Sequence, residues 1–327
     1  MLYNIKMERK IENKNFRQFY RDDDSGKVFL ICLLVPLVIS IIFSMIASQI
    51  ANQQGVEPEE ITSNMWFLSI YALVNFMVYL AIYFIYNKIC KIEYKAIKMK
   101  AKMHWHTYLI VIAIGIISLF GIQYFILSFD NLLEVIGFPL NSGTTINPTD
   151  FGSFMLATFV LAVLPAVGEE ILFRGIVFNG LRSRFSDWGA ILLSALMFAL
   201  MHGNLQQLLY PFILGTVMGW IVMRTGSLIS SMIVHFTNNF LVVMFAYIQN
   251  VTGFSLALPN MWWFYLVAIL LLAVTGAIYF IIDRYYFKHK NKEDVEKISE
   301  KTSPFIYVSL AVASVILVLN TIASFAM

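Results

Sequence analysis

The chain is poor in charge: of its 327 residues only 13% are Asp, Glu, Lys or Arg, about half the ~25% usual in soluble domains. That scarcity excludes a disordered or nucleic-acid-binding chain, and a net charge of +3 says nothing about partners until the charges are placed. Cysteine is scarcer still. The two thiols, Cys32 and Cys90, lie in no CxxC or Cys/His spacing, so they form no disulfide framework and read as ordinary thiols. Also absent are an internal repeat, a low-complexity tract, an HExxH helix, and a Ser or Cys set in a nucleophile elbow.

What is abundant is apolar sequence. Hydrophobic residues make up 59% of the chain and aromatics 15%, the composition of an integral membrane protein. Nine stretches are apolar enough to read as membrane-crossing helices, at roughly 28–50, 65–87, 107–128, 153–174, 188–203, 207–223, 227–248, 260–282 and 304–325. The fifth and sixth are short. The fold expected is therefore all-α, a polytopic transmembrane helical bundle of about nine spans.

The charges that do occur are unevenly placed. Of the 23 Lys and Arg, 22 fall before or at Lys27, between Lys88 and Lys102, at Arg182, Arg184 and Arg224, and from Arg284 to Lys301. The intervening loops, about 51–64, 129–152, 204–206 and 249–259, carry none. Basic residues are retained in the cytoplasm, so the N-terminus is expected inside and the C-terminus outside. The organisation expected is a basic cytoplasmic segment at 1–27, accessory helices at 28–150, a core at 151–248, and two last helices at 249–327 joined by a basic cytoplasmic loop. The first 27 residues are too long and polar for a signal peptide's leading region, and no cleavage is expected. The basic segments read as solvated stretches that fix topology and touch anionic lipid. Trp66, Trp188, Trp262 and Trp263, near span ends, read as interfacial anchors. Gly215 and Gly219 form a GxxxG, expected to permit close helix packing within the bundle, with dimerisation the lesser alternative.

The remaining basic residue, Arg174, lies at membrane depth, and Glu169, Glu170, His202 and His235 lie there too. Ionisable groups there are expensive and mark a functional site by default. Glu170 and Arg174 are one helical turn apart in the favourable acid-before-base order, while Glu169 points about 100° away. One glutamate can thus be neutralised by the arginine and the other left free. A salt-bridge network in which all three are merely positional is the competing structural explanation. His235 and Asn239 also share a face, one turn apart. Counting ~1.5 Å per residue from the cytoplasmic ends places Glu169, His202 and Asn239 in one layer.

A carboxylate beside an imidazole can deprotonate water, and a second imidazole with an amide can stabilise an oxyanion. This is the minimum equipment for amide hydrolysis without a covalent intermediate. Glu169, His202 and His235 also satisfy the ligand count of a catalytic zinc, but Asn is a poor zinc ligand and His202 and His235 come from different spans. No cofactor is expected, with zinc as the alternative. A proton-coupled transporter is disfavoured because the ionisable groups occupy one layer instead of a chain across the membrane.

The ordered motifs EExxxR (Glu169, Glu170, Arg174), FxxxH (Phe198, His202) and HxxxN (His235, Asn239) resemble those of the CPBP (CAAX protease and bacteriocin-processing, or Abi) intramembrane protease family, which includes the type II CAAX prenyl endopeptidases. The resemblance covers roughly residues 150–245. It implies an intramembrane endopeptidase in which Glu169 and His202 activate water and His235 with Asn239 forms the oxyanion site. Glu170 and Arg174 would be supporting residues. It further implies a membrane-associated or lipidated, CAAX-like peptide substrate and a site open to the cytoplasmic side of the cell membrane. A catalytically silent scaffold or bacteriocin-immunity protein of the same fold is the alternative. Partners expected are membrane lipids and the substrate, with no nucleic acid; oligomeric state is not readable.

Overall fold

A computed structural model describes residues 17–97, 103–140, 148–254, 263–287 and 301–326. The regular elements among the described residues are all helices, and the one β-type pairing among them is an isolated parallel bridge between Arg17 and Ile92. The helices are α1 (Asp22–Gln54), a short α2 (Pro58–Thr62), α3 (Met65–Ile89), α4 (Trp105–Val135), α5 (Phe151–Leu181), α6 (Asp187–Met201), α7 (Leu209–Thr225), α8 (Leu228–Thr252), α9 (Trp263–Ile281) and α10 (Pro304–Ala326). Seven of them, α1, α3, α4, α5, α8, α9 with its continuation to Tyr286, and α10, are long and apolar enough to cross a membrane. The other two apolar helices, α6 and α7, have 15 and 17 residues, so they are about 22 and 25 Å long.

Helix ends follow local chemistry. Asn64 accepts the Trp66 N–H at the start of α3, and Asp150 accepts those of Gly152 and Ser153 at the start of α5. Hydrogen bonds from the backbone and then the hydroxyl of Ser153 hold the Asp150 carboxyl below the usual carboxylate range. Gly226, with φ 67°, ends α7 in the left-handed region that a side chain disfavours.

The first helix begins earlier than apolarity alone suggests, and the segment before Lys27 is not free in solvent over its described part. Asp22, Asp23 and Asp24 occupy the first turn of α1, where carboxylates complement the helix dipole. Asp24 takes a two-pronged bond from Arg17 at 2.9 and 3.0 Å and a third from the Tyr86 hydroxyl at 2.8 Å. Asp22 accepts the Ser303 N–H, and Ser25 donates to the Val177 carbonyl. Polar pairing thus ties α1 to α3, α5 and α10 at the end where the basic residues lie. Residues 1–16 and 288–300, most of the two basic stretches, fall outside the described residues, as do Trp262 and the side chain of Trp263. Trp66 and Trp188 are exposed on the bundle surface.

α5 lies at the centre, packed by α1, α3, α6 and α8, while α10 lies against α1 and α6. α6 and α7 form the tightest pair, and the GxxxG is the reason. A Cβ on Gly215 would stand 3.2 Å from the Ala195 backbone and 3.0 Å from Nη2 of Arg174, and one on Gly219 would stand 3.2 Å from Ile191. Both glycines face the partner helix within this chain.

Candidate active site

α5 is not a uniform helix, and its irregularities bracket the ionisable residues. Two π-helical stretches, Phe159–Val163 and Phe173–Phe178, flank the α-helical segment Leu164–Leu172 that carries Pro165, Gly168, Glu169 and Glu170. π-bulges are frequent at functional sites. Pro165 has no N–H, so the Leu161 carbonyl loses its ordinary donor. The side-chain amide of Asn239, on α8, takes that place and donates to it at 3.0 Å. Gly168 lets α3 come close: a Cβ there would meet Phe76 and Tyr79, each at 3.1 Å.

One turn later Glu170 and Arg174 form an ion pair, Oε1 to Nη1 at 2.9 Å, with both side chains wholly buried. Arg174 also donates through Nη2 to the Gly215 carbonyl at 3.1 Å, and its guanidinium lies 4.5 Å over the Phe198 ring. The same Glu170 oxygen stands 3.1 Å from Nδ1 of His235. A buried charge is tolerated only when paired and hydrogen-bonded, and here Glu170 has both kinds of partner.

Glu169 is differently placed. Its side chain is 15% exposed against 0% for Glu170, and its ion-pair contact is with Nε2 of His235 at 3.9 Å, too long for a direct hydrogen bond. Glu170 and Glu169 therefore hold opposite edges of one imidazole, the first by direct contact and the second across a gap that a single small molecule can bridge. His202 caps the C-terminal end of α6, with Nδ1 2.9 Å from the Phe198 carbonyl. Its ring stacks edge-on against the Phe198 ring at 5.1 Å, and the His235 ring lies 6.0 Å from that same ring. Phe198 is thus the common neighbour of Arg174, His202 and His235.

The structure brings Glu170, Arg174 and His235 into direct contact, sets Glu169 3.9 Å from His235, and places His202 one aromatic ring away. It does not aim His235 and Asn239 at one point: His235 turns to the two glutamates, whereas Asn239 turns to the Leu161 carbonyl. Asn238, one residue earlier, is buried and pairs with the Tyr210 hydroxyl. Among the described residues no group of three His, Cys, Asp or Glu side chains is gathered at metal-holding distance.

Residues 151–241 match the family described as type II CAAX prenyl endopeptidase Rce1-like, which covers α5 to the middle of α8 and every residue of the cluster. The UPF0177 protein YxdF of Lactococcus lactis subsp. lactis (strain IL1403) is 30% identical over 82 residues, 25% of this chain and 45% of that protein. An uncharacterized 24.3 kDa protein of Escherichia coli is 33% identical over 96 residues, 28% of this chain and 43% of that protein. The matches thus span less than half the length of either relative. No solved structure matches the chain significantly.

Proposed function

We propose that the protein is an intramembrane endopeptidase that hydrolyses a peptide bond of a membrane-associated or lipidated, CAAX-like peptide by water activated between a glutamate and histidines. The observation that carries this reading is the unequal treatment of two adjacent carboxylates: wholly buried Glu170 binds Arg174 and His235 through one oxygen, while Glu169, partly exposed, faces the other edge of His235 across 3.9 Å. The Rce1-like match over the same residues supports the reaction class.

In this mechanism Glu169, aided by His202, takes a proton from water, and the hydroxide oxygen attacks the scissile carbonyl carbon. The carbonyl electrons move to oxygen, and the second amide proton of Asn239 stabilises that oxyanion, while His235, turned to both glutamates, orients the Glu169 side of the site. Asn239 has two amide protons and uses one on Leu161, leaving the second for this task. When the C–N bond breaks, the proton held on the carboxyl side of the site passes to the leaving amine. Glu170 and Arg174 hold His235 in place and take no proton.

The test is cleavage of a panel of peptides, prenylated CAAX forms included, by purified protein in liposomes, with products identified by mass and a parallel arm containing a zinc chelator. Cleavage that survives the chelator supports the reading. Cleavage abolished by it replaces water activation by protein groups with a zinc-dependent version. Silence across the panel, with folded protein, favours the non-catalytic scaffold.

A further inference from the structure

The α6–α7 hairpin is too short for the bilayer. Helices of 15 and 17 residues reach about 22 and 25 Å, whereas the hydrocarbon core is about 30 Å thick. With the Arg182 and Arg184 end of α6 held at one surface, the turn Gly203–Leu208 stops within the membrane layer, several ångströms short of the other. Non-helical backbone at such depth is stable only where it is buried in protein or lines a wet cavity.

The turn is anchored to a neighbouring helix and borders a cavity. Asn320, on α10, donates its side-chain amide to the Gly203 carbonyl at 2.8 Å, and Asn204 accepts the Gln206 N–H at 2.9 Å. Gly203 itself has φ +62°, a turn conformation that lets the chain leave α6 directly after His202. Beside this turn lies a cavity of about 270 Å³ lined by His202, Asn204, Asn320, Thr321, Ser324 and neighbouring apolar residues. Among the described residues no Asp, Glu, Lys or Arg lines it. Side-chain amides and hydroxyls without a fixed charge suit an uncharged, extended peptide backbone, and do not suit a phosphate or a carboxylate.

The side of the membrane follows from the direction of two helices. α6 runs from Arg182 and Arg184 to His202, and α10 runs from the basic stretch ending at Lys301 to Asn320 and Ser324. The cavity therefore lies at the end of the bundle away from every basic loop, which is the extracytoplasmic end. We propose that this polar cavity at the short α6–α7 hairpin is a vestibule through which an extended, uncharged peptide segment enters from the extracytoplasmic side, with His202 on its inner wall. The route is opposite to the cytoplasmic opening that the CAAX resemblance implies. It rests on the endopeptidase reading but takes a membrane-associated, uncharged segment as substrate in place of a CAAX end with its free carboxylate, and its geometry is testable without any activity.

Ser324→Cys, in a background with Cys90 as the only other reactive thiol, is treated in intact cells with a membrane-impermeant maleimide. Cys90 follows α3 at the basic end and serves as the internal reference. Labelling of Ser324→Cys before permeabilisation, with Cys90 protected until after it, is the expected result. The proposal is overturned if the order is reversed, or if Ser324→Cys stays unlabelled even in solubilised, folded protein. In the liposome assay, Ala323→Trp, which narrows the cavity from α10, is expected to slow cleavage of extended peptides roughly tenfold or more while folded yield is kept. Wild-type cleavage with an unaffected Ala323→Trp overturns the vestibule alone, whereas wild-type silence counts against the endopeptidase and leaves the labelling result to decide the cavity.

Discussion

Nδ1 of His235 stands 3.1 Å from the very oxygen of Glu170 that Arg174 bonds at 2.9 Å. A glutamate on α5 and a histidine 65 positions later on α8 are thereby locked edge to edge, and the lock fixes which imidazole nitrogen faces Glu169. Glu170 thus orients His235, and the proposed mechanism gives the base role to its neighbour Glu169.

Arg174→Ala leaves Glu170 as a buried unpaired charge, an effect expected to destabilise by roughly 3 to 5 kcal/mol. Thermal unfolding in detergent and the yield of monodisperse protein check this. Arg174→Lys keeps the charge but loses the planar fork that serves Glu170 and the Gly215 carbonyl together, so its loss is expected to be smaller and still measurable.

Glu170→Gln and Glu169→Gln are expected to part company. The first weakens the pairing with Arg174 and His235 and lowers stability and activity together. The second leaves every described short contact of the network intact. Unfolding temperatures of the two variants, read beside their cleavage rates, make the comparison.

Asn239 has one observed duty and, in the proposed mechanism, a second that is separable from it. Its bond to the Leu161 carbonyl exists because Pro165 offers no N–H, so Pro165→Ala should supply the missing donor and make the amide dispensable for stability. Asn239→Ala is expected to destabilise by about 1 to 3 kcal/mol in the parent and by less in the Pro165→Ala background. If the second amide proton stabilises an oxyanion, the loss in turnover, about 2.7 to 4 kcal/mol, is the same in both backgrounds. A loss confined to KM contradicts that role.

Gly215→Val drives a branched side chain against Ala195 and Arg174 and is expected to destabilise by about 1 to 3 kcal/mol. Because this face is spent within the chain, the oligomeric state measured by light scattering is expected to be the same as that of the parent.

The all-helical bundle was legible because apolar runs of span length need no tertiary information. The Glu170–Arg174 pair was legible for a related reason, since a four-residue spacing on a helix is local. The shared imidazole was not, because nothing in one sequence says that α8 presents His235 to the α5 turn holding both glutamates. Asn239 shows the limit most clearly. Pro165 announces a carbonyl without a donor, but not that its partner comes from 78 positions away. Phe198 was readable only as part of a motif, and its place beneath Arg174 and beside both histidines emerges from packing. The buried start of α1 was hidden for the opposite reason, since a run of three aspartates beside basic residues reads as solvated until Arg17, Tyr86 and Ser303 are seen to satisfy it.

The central claim is that Glu169 is the general base and Glu170 is not. The direct measurement is the cleavage rate of one substrate peptide by wild type and by Glu169→Gln in the same liposomes, with folding of both verified by unfolding temperature. The account predicts loss of turnover in Glu169→Gln at an unchanged unfolding temperature. Turnover by folded Glu169→Gln at the wild-type rate would contradict it.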